Sequence, residues 1–210
     1  MNKYHIFDLD GTLVNSMPRW GEVMTRLLDE QGVEYPKNLI NIITPLGYRK
    51  TAEYIKELGV RASVDEILAK IQEYAIHAYA NLIEMKPFAV DYLNKLKGCG
   101  CNLYVLTASP HEMTDVCLKR WGVYDMFDII WTSDELGLPK SDPEIYSKVA
   151  GIIGADISEI TFYDDNLGAI TAGTKAGLYT VAIYDETSSN DKEKLEIIAA
   201  EYVDSFKSLL

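Results

Sequence analysis

What most restricts the fold of this chain is an alternation. Strand-like runs at Tyr4–Leu9, Asn102–Leu106, Phe127–Trp131, Glu159–Tyr163 and Tyr179–Ile183 are separated by helical patterns at Phe88 to Lys97, Glu112 to Trp121, Pro143 to Ile153 and Leu167 to Ala176. The runs are short, rich in β-branched and aromatic residues, and apolar along most of their length, as strands covered on both faces are. Strand and helix in this order predict an α/β fold, a doubly wound parallel sheet of Rossmann-like type. The punctuation agrees. Asp142-Pro143-Glu144 reads as a helix start, with a capping acid, Pro at the first helical position and an acid in the first turn. Gly177, after Lys175-Ala176, reads as a helix stop.

One interval breaks the rhythm. From Ser16 to Glu84 there are three helical patterns and no convincing strand. Ser16 is expected to cap the first, with Pro18 in its opening turn; Trp20, Val23, Met24, Leu27 and Leu28 fall on one face, and Gln31-Gly32 ends it. A second begins near Gly47 with Ala52, Ile55 and Leu58, and a third runs from Ser63 with Ile67, Leu68, Ile71, Ala75 and Ala78. A chain of 210 residues holds one core domain and a modest insertion. The expected organisation is therefore an α/β core from 1–15 and 84–210, with a helical insertion at 16–83, joined through linkers near Leu13–Asn15 and Ile83–Pro87. Insertions at the carboxyl ends of strands sit over the ligand crevice of such sheets, so the insertion is a candidate lid.

Three strand ends are polar. The first carries Asp8-Leu9-Asp10-Gly11-Thr12, the second Thr107-Ala108-Ser109, and the fourth Asp164-Asp165-Asn166; Lys140 lies in Gly137-Leu138-Pro139-Lys140-Ser141, one helix before the fourth. Two carboxylates two residues apart allow one to attack as a nucleophile while the other handles protons. Four acids around one crevice repel each other and call for a divalent cation, and oxygen-only ligation points to magnesium. Magnesium offsets the charge of a phosphate and aligns it for in-line attack. The Thr107 hydroxyl and the N–H groups at the next helix start offer donors to phosphate oxygens, and Lys140 supplies a point charge. Each piece also has a plain alternative: Thr107 as a helix cap, Lys140 as a solvated loop lysine, Asp164-Asp165 as an exposed turn.

The formal charge of −12 argues against nucleic-acid or anionic-membrane partners, which need a dense basic stripe. No apolar stretch reaches the roughly 18 residues of a membrane span. Strand-like sequence starts at Tyr4, so no leader segment is expected, and the reading is cytoplasmic. Cys99-Gly100-Cys101 invites a zinc site, but no His or further Cys pair nearby completes four ligands, so the cysteines read as reduced thiols.

Taken in order, Asp8-Leu9-Asp10-Gly11-Thr12, Val105-Leu106-Thr107-Ala108-Ser109, Lys140-Ser141-Asp142-Pro143 and Asp164-Asp165 resemble the four motifs of the haloacid-dehalogenase-like superfamily. The insertion is similar to the small helical cap of its phosphoglycolate-phosphatase and β-phosphoglucomutase branch. The resemblance implies that Asp8 attacks phosphorus to form an aspartyl phosphate, and that Asp10 first protonates the leaving oxygen and then activates water. It implies magnesium held by Asp8, the Asp10 carbonyl and Asp165, with Asp164 nearby. Thr107, the Ala108 N–H and Lys140 would hold the phosphoryl group, with Ser109 beside them. Asp10 favours a phosphate ester over a carbon–halogen substrate, whose leaving halide needs no proton. Pro45-Leu46-Gly47-Tyr48-Arg49-Lys50 resembles the cap's specificity loop, from which Arg49 or Lys50 would reach the rest of a small anionic substrate. Pro87-Phe88, Ser141 and Asn15 depart from the usual pattern without removing a catalytic group. Trp20 stands in a stretch where β-phosphoglucomutases carry a His, which weakens a mutase reading. The expected activity is a magnesium-dependent phosphatase acting on a small phosphorylated metabolite, as a monomer or weak homodimer. The alternatives are a sugar phosphomutase and a non-catalytic phosphate-binding protein.

Overall fold

The computed structural model describes residues 2–43 and 46–210. It divides into two compact units, Met1–Asn15 with Glu84–Leu210, and Ser16–Ile83.

The larger unit carries a six-stranded sheet in the order β3-β2-β1-β4-β5-β6, parallel throughout. Its strands are β1 (Tyr4–Phe7), β2 (Asn102–Thr107), β3 (Ile129–Thr132), β4 (Ile160–Asp164), β5 (Tyr179–Ile183) and β6 (Glu201–Val203). The chain steps outward from β1 to β3 and returns beside β1 as β4, which makes the β1/β4 junction the point where strand order reverses. Ile6 pairs with Phe162, and Phe7 with Tyr163.

The two faces are filled differently. On one, Ile6, Leu106 and Phe162 pack with Ile145, Tyr146 and Val149 of α8 (Glu144–Ile153) and with Ala169 and Ile170 of α9 (Leu167–Ala176). On the other, Phe7 stacks on Tyr163 at 4.2 Å between ring centroids, edged by Tyr92 of α5 (Ala89–Gly98) and by Phe206. Between α5 and α8 lie α6 (His111–Arg120) and the four-residue α7 (Ser133–Leu136); α10 (Lys192–Ile198) follows β5. Three of these elements depart from the sequence reading: α7, α10 and β6 are too short to show a period. The helix expected from Pro143 begins at Glu144, with Pro143 at the capping position; the Asp142 carboxylate still accepts the Glu144 N–H, at 3.0 Å.

The smaller unit holds α1 (Met17–Gln31), α2 (Leu39–Ile43), α3 (Gly47–Glu57) and α4 (Val64–Asn81). Val23, Leu27 and Leu28 of α1 and Ile67, Ile71 and Ala75 of α4 are buried. The Trp20 indole donates to the Tyr79 hydroxyl at 3.1 Å. Ser63 and Glu66 form a reciprocal cap at the head of α4. Ser16 does not cap α1. Its backbone is already helical (φ −85°, ψ −27°), whereas a capping hydroxyl reaches its N–H from an extended residue, and Ser16 Oγ is buried without a partner. The five-residue α2 was not expected. Of the loop expected to set specificity, Pro45 and the Tyr48 side chain lie outside the described residues. Among the described residues, no helix is long and apolar enough to cross a membrane.

His5, beneath this core, gives a first prediction. Burial, more than the opposing hydrogen bond to the Asn2 carbonyl, lowers its pKa from 6.5 to about 4. The unfolded state therefore binds a proton first as pH falls. Stability should decline by about 3 kcal/mol between pH 6.5 and 4 through this group alone. Proton-detected titration should put the His5 ring near 4, and His5→Gln should flatten the acid limb of the stability curve. A ring titrating near 6.5 would refute the argument.

Candidate active site

Asp8 follows β1 and extends its ladder by one bond, its N–H donating to the Tyr163 carbonyl at 2.9 Å. The backbone then doubles back: the Leu9 carbonyl accepts from Thr12, Leu13 and Val14. Gly11 makes this turn possible. Its φ is +82°, and a Cβ there would lie 2.7 to 2.9 Å from three atoms of the Asp165 carboxylate. Only a residue without a side chain lets the first strand end come this close to the fourth.

At that junction one oxygen each from Asp8, Asp164 and Asp165 lie within 4.8 Å of one another. The three side chains are buried, Asp164 completely. Lys140 Nζ donates to Asp8 Oδ1 and, at 2.8 Å, to Asp164 Oδ2. Asp164 Oδ1 accepts the Asn166 N–H at 2.8 Å, and Thr12 Oγ1 donates to Asp165 Oδ1 at 3.4 Å. Asn166 in turn caps α9 through Gly168 and Ala169. The Lys140 loop is pinned from below, where the Tyr146 hydroxyl is shared between the carbonyls of Lys140 (2.7 Å) and Ala169 (3.1 Å). Lys140 is thus no solvated loop lysine, and Asp164-Asp165 is no exposed turn.

The electrostatics follow from this crowding. Burial pushes the Asp8 carboxyl well above the usual range; Lys140 pulls it down, while Asp164, Asp165 and Asp10 push it up further. Asp165 is pushed up to about 7, by burial first and then by Asp164 and Asp185. Burial alone would discharge Lys140, but Asp164 and Asp8 hold it well above an ordinary lysine. One lysine among three buried carboxylates leaves excess negative charge on a cluster of oxygen ligands, a donor set suited to a hard divalent cation.

A second group adjoins the first through Asp10. The Ser109 hydroxyl donates to Asp10 Oδ2 at 2.6 Å, and the Ser109 N–H donates to Thr107 Oγ1 at 3.0 Å. Thr107 therefore closes a short turn at the end of β2 and does not cap α6, whose capping position is Pro110. Ala108 between them is exposed. Arg49 and Lys50 belong to the helical unit. There Arg49 is exposed and pairs with Asp65 at 3.5 Å and Glu53 at 3.8 Å; Lys50 is exposed too.

Sequence reading missed one pair. Lys86 Nζ and Asp185 Oδ2 lie 3.0 Å apart, both largely buried, and both act electrostatically on Asp165. Asp185 is a strand-end acid, two residues beyond β5, and the positional rule that found Asp8 and Asp164 would have found it. The cysteines are free thiols, Cys99 exposed and Cys101 and Cys117 buried.

A sequence model described as haloacid dehalogenase-like hydrolase matches residues 5–183. The chain is 28% identical to validoxylamine A 7′-phosphate phosphatase of Streptomyces hygroscopicus subsp. limoneus, over 93% of this chain and 90% of that protein. It is 26% identical to phosphoglycolate phosphatase of Psychrobacter arcticus, over 98% and 93% respectively. Among solved structures, YfnB from Bacillus subtilis bound to magnesium superimposes with a TM-score of 0.80 at 17% identity, covering 99% of this chain and 96% of that one.

Proposed function

This chain belongs to the haloacid dehalogenase-like hydrolase family, and we propose that within it the protein is a magnesium-dependent phosphatase that hydrolyses a small phosphorylated metabolite through an aspartyl-phosphate intermediate. The observation that carries this reading is the convergence of Asp8, Asp164, Asp165 and Lys140 at the β1/β4 junction, with Asp10 held by Ser109. Two phosphatase relatives support the reaction class, and the magnesium-bound structural neighbour supports the choice of ion.

The donor set fits magnesium. Asp8, Asp165 and the Asp10 carbonyl would hold it, with Asp164 alongside. Bound there, it would neutralise phosphate charge and align the ester for in-line displacement. The rest falls to the chain. An Asp8 oxygen attacks phosphorus, the bond from phosphorus to the leaving oxygen breaks, and Asp10 in its acid form protonates that oxygen. Asp10, now a carboxylate, takes a proton from the water that attacks the aspartyl phosphate. The bond from phosphorus to Asp8 breaks, and inorganic phosphate leaves. Lys140 and the Thr107 hydroxyl hold phosphoryl oxygens, and the Ser109 hydroxyl keeps the Asp10 carboxyl oriented. Substrate choice is assigned to the helical unit acting as a cap, with Arg49 and Lys50 as its cations.

The test compares two esters. With magnesium, the protein should turn over an aryl phosphate and a set of alkyl phosphates. Asp10→Asn should slow alkyl esters by ~10³-fold and aryl esters at least ~10-fold less, because a phenolate departs without a proton. Equal losses on both would remove Asp10 as the acid. A sugar bisphosphate recovered from the reaction would mark a mutase, and no turnover across the panel a phosphate binder.

A further inference from the structure

At the end of the sheet opposite the acid cluster lies a cavity of about 380 Å³. It sits over the amino ends of β1, β4, β5 and β6, where His5, Thr161, Tyr179 and Glu201 meet Tyr92 of α5 and Tyr163. The phosphatase chemistry uses none of these groups.

Its aromatic wall has a definite hydrogen-bond polarity; the Asn2 amide and the Thr161 hydroxyl are the other neutral polar side chains that line it. His5 Nε2 lies 2.9 Å from the Asn2 carbonyl, which only accepts, so Nε2 carries the ring proton. The neutral ring then presents Nδ1 as an acceptor, and the Tyr163 hydroxyl, 2.9 Å away, donates to it. Having spent its proton, Tyr163 accepts from the Tyr92 hydroxyl at 2.7 Å. Tyr92 is left with free lone pairs and no proton to give. At the other side of the cavity the Tyr179 hydroxyl donates to Glu201 Oε1 at 2.5 Å, so it too has only lone pairs left. The Glu201 carboxylate carries one negative charge shared by its two oxygens; burial first, and this charge in addition, raise the pKa of both Tyr92 and Tyr163. None of the described lining residues is Lys or Arg. Val181, Leu209 and the tyrosine ring carbons supply apolar surface beside these acceptors.

We propose that this cavity is a second ligand site, and that its ligand is a small organic ammonium ion, the N–H donors facing Glu201 and the tyrosine oxygens and the hydrocarbon lying against Val181 and Leu209. A wall whose one ionised side chain is the Glu201 carboxylate, with tyrosine oxygens as acceptors beside it and only the neutral Asn2 amide and Thr161 hydroxyl as further side-chain donors, selects a cationic donor over an anion, and over a neutral hydroxyl of the same shape. The site stands independently of the phosphatase reading.

Cyclohexylammonium and cyclohexanol, alike in size and differing in charge, make the test. Titrated into the whole protein and followed by amide and His5 ring chemical shifts, cyclohexylammonium should saturate, with changes confined to the cavity residues, and bind at least ~10-fold tighter than cyclohexanol. Glu201→Gln should abolish that preference. Tyr179→Phe, which leaves the packing in place, should weaken ammonium binding several-fold. Both variants should hydrolyse an aryl phosphate at the wild-type rate, which separates this result from the fate of the acid cluster. Absence of saturation, equal affinity for the alcohol, or undiminished binding by Glu201→Gln would each overturn the proposal.

Discussion

Asp8→Asn should lower the turnover of every phosphate ester by at least ~10⁴-fold, about 5 kcal/mol of barrier, because the proposed aspartyl phosphate forms on the Asp8 carboxylate. The measurement is kcat on an aryl phosphate with saturating magnesium, together with the mass of acid-quenched protein, which should gain a phosphoryl group in the wild type and none in the variant. Retained turnover would refute covalent catalysis by Asp8. The same substitution carries an opposite expectation for stability. A carboxyl whose folded pKa is raised costs stability that grows as pH climbs from its unfolded value toward the folded one. Burial and the neighbouring Asp164 and Asp165 raise Asp8 in this way. At neutral pH without divalent cations, Asp8→Asn should therefore melt above the wild type, and added magnesium should narrow the gap.

Lys140→Met is expected to damage both properties. The ammonium is the charge that sits between Asp8 and Asp164, and its loss leaves two buried carboxylates facing each other. Removing one partner of a buried pair costs about 3–5 kcal/mol unless the remaining charge is neutralised. Here the carboxylates would take up protons, so the melting temperature of the variant should fall more steeply with rising pH than that of the wild type. Turnover should drop by ~10²–10³-fold, as on removing a preorganised donor to a phosphoryl or oxyanion group. Lys140→Arg, with its charge kept and its shape changed, should retain stability better than activity. A Lys140→Met protein as active as the wild type would mean that the ammonium only balances charge at rest.

The parts of the fold that could be read from the sequence are those where one physical cause dominates. β1, β2 and β4 show as largely apolar runs because a central parallel strand is covered on both faces, and all three are nearly all buried. β6 is three residues long, begins with an exposed glutamate and pairs on one side only, so burial writes almost nothing into it. Likewise α2 and α7, at five and four residues, barely complete a turn. In the acid cluster, strand-end position was enough to nominate Asp8, Asp164 and Asp165 before any contact was known. Lys86 escaped for the reverse reason: it looks like an ordinary surface charge, and only the folded chain brings it to the strand-end Asp185, 99 residues further on. Ser16 failed through geometry, since residue type suits it to a cap but its backbone angles do not.

The two strands of chain that connect the helical unit to the sheet run past each other as an antiparallel rung: Val14 bridges Met85, the Asn15 N–H donates to the Glu84 carbonyl, and the Lys86 N–H donates to the Leu13 carbonyl, the last two each at 2.8 Å. Residues 16–83 thus leave and rejoin the larger unit at nearly one point, with hydrogen bonds already closing the gap. A short turn could span it at little entropic cost. For the sheet, the intervening segment is a loop already closed at its neck, and the placing of Asp8 beside β4 is set by the larger unit's own hydrogen bonds.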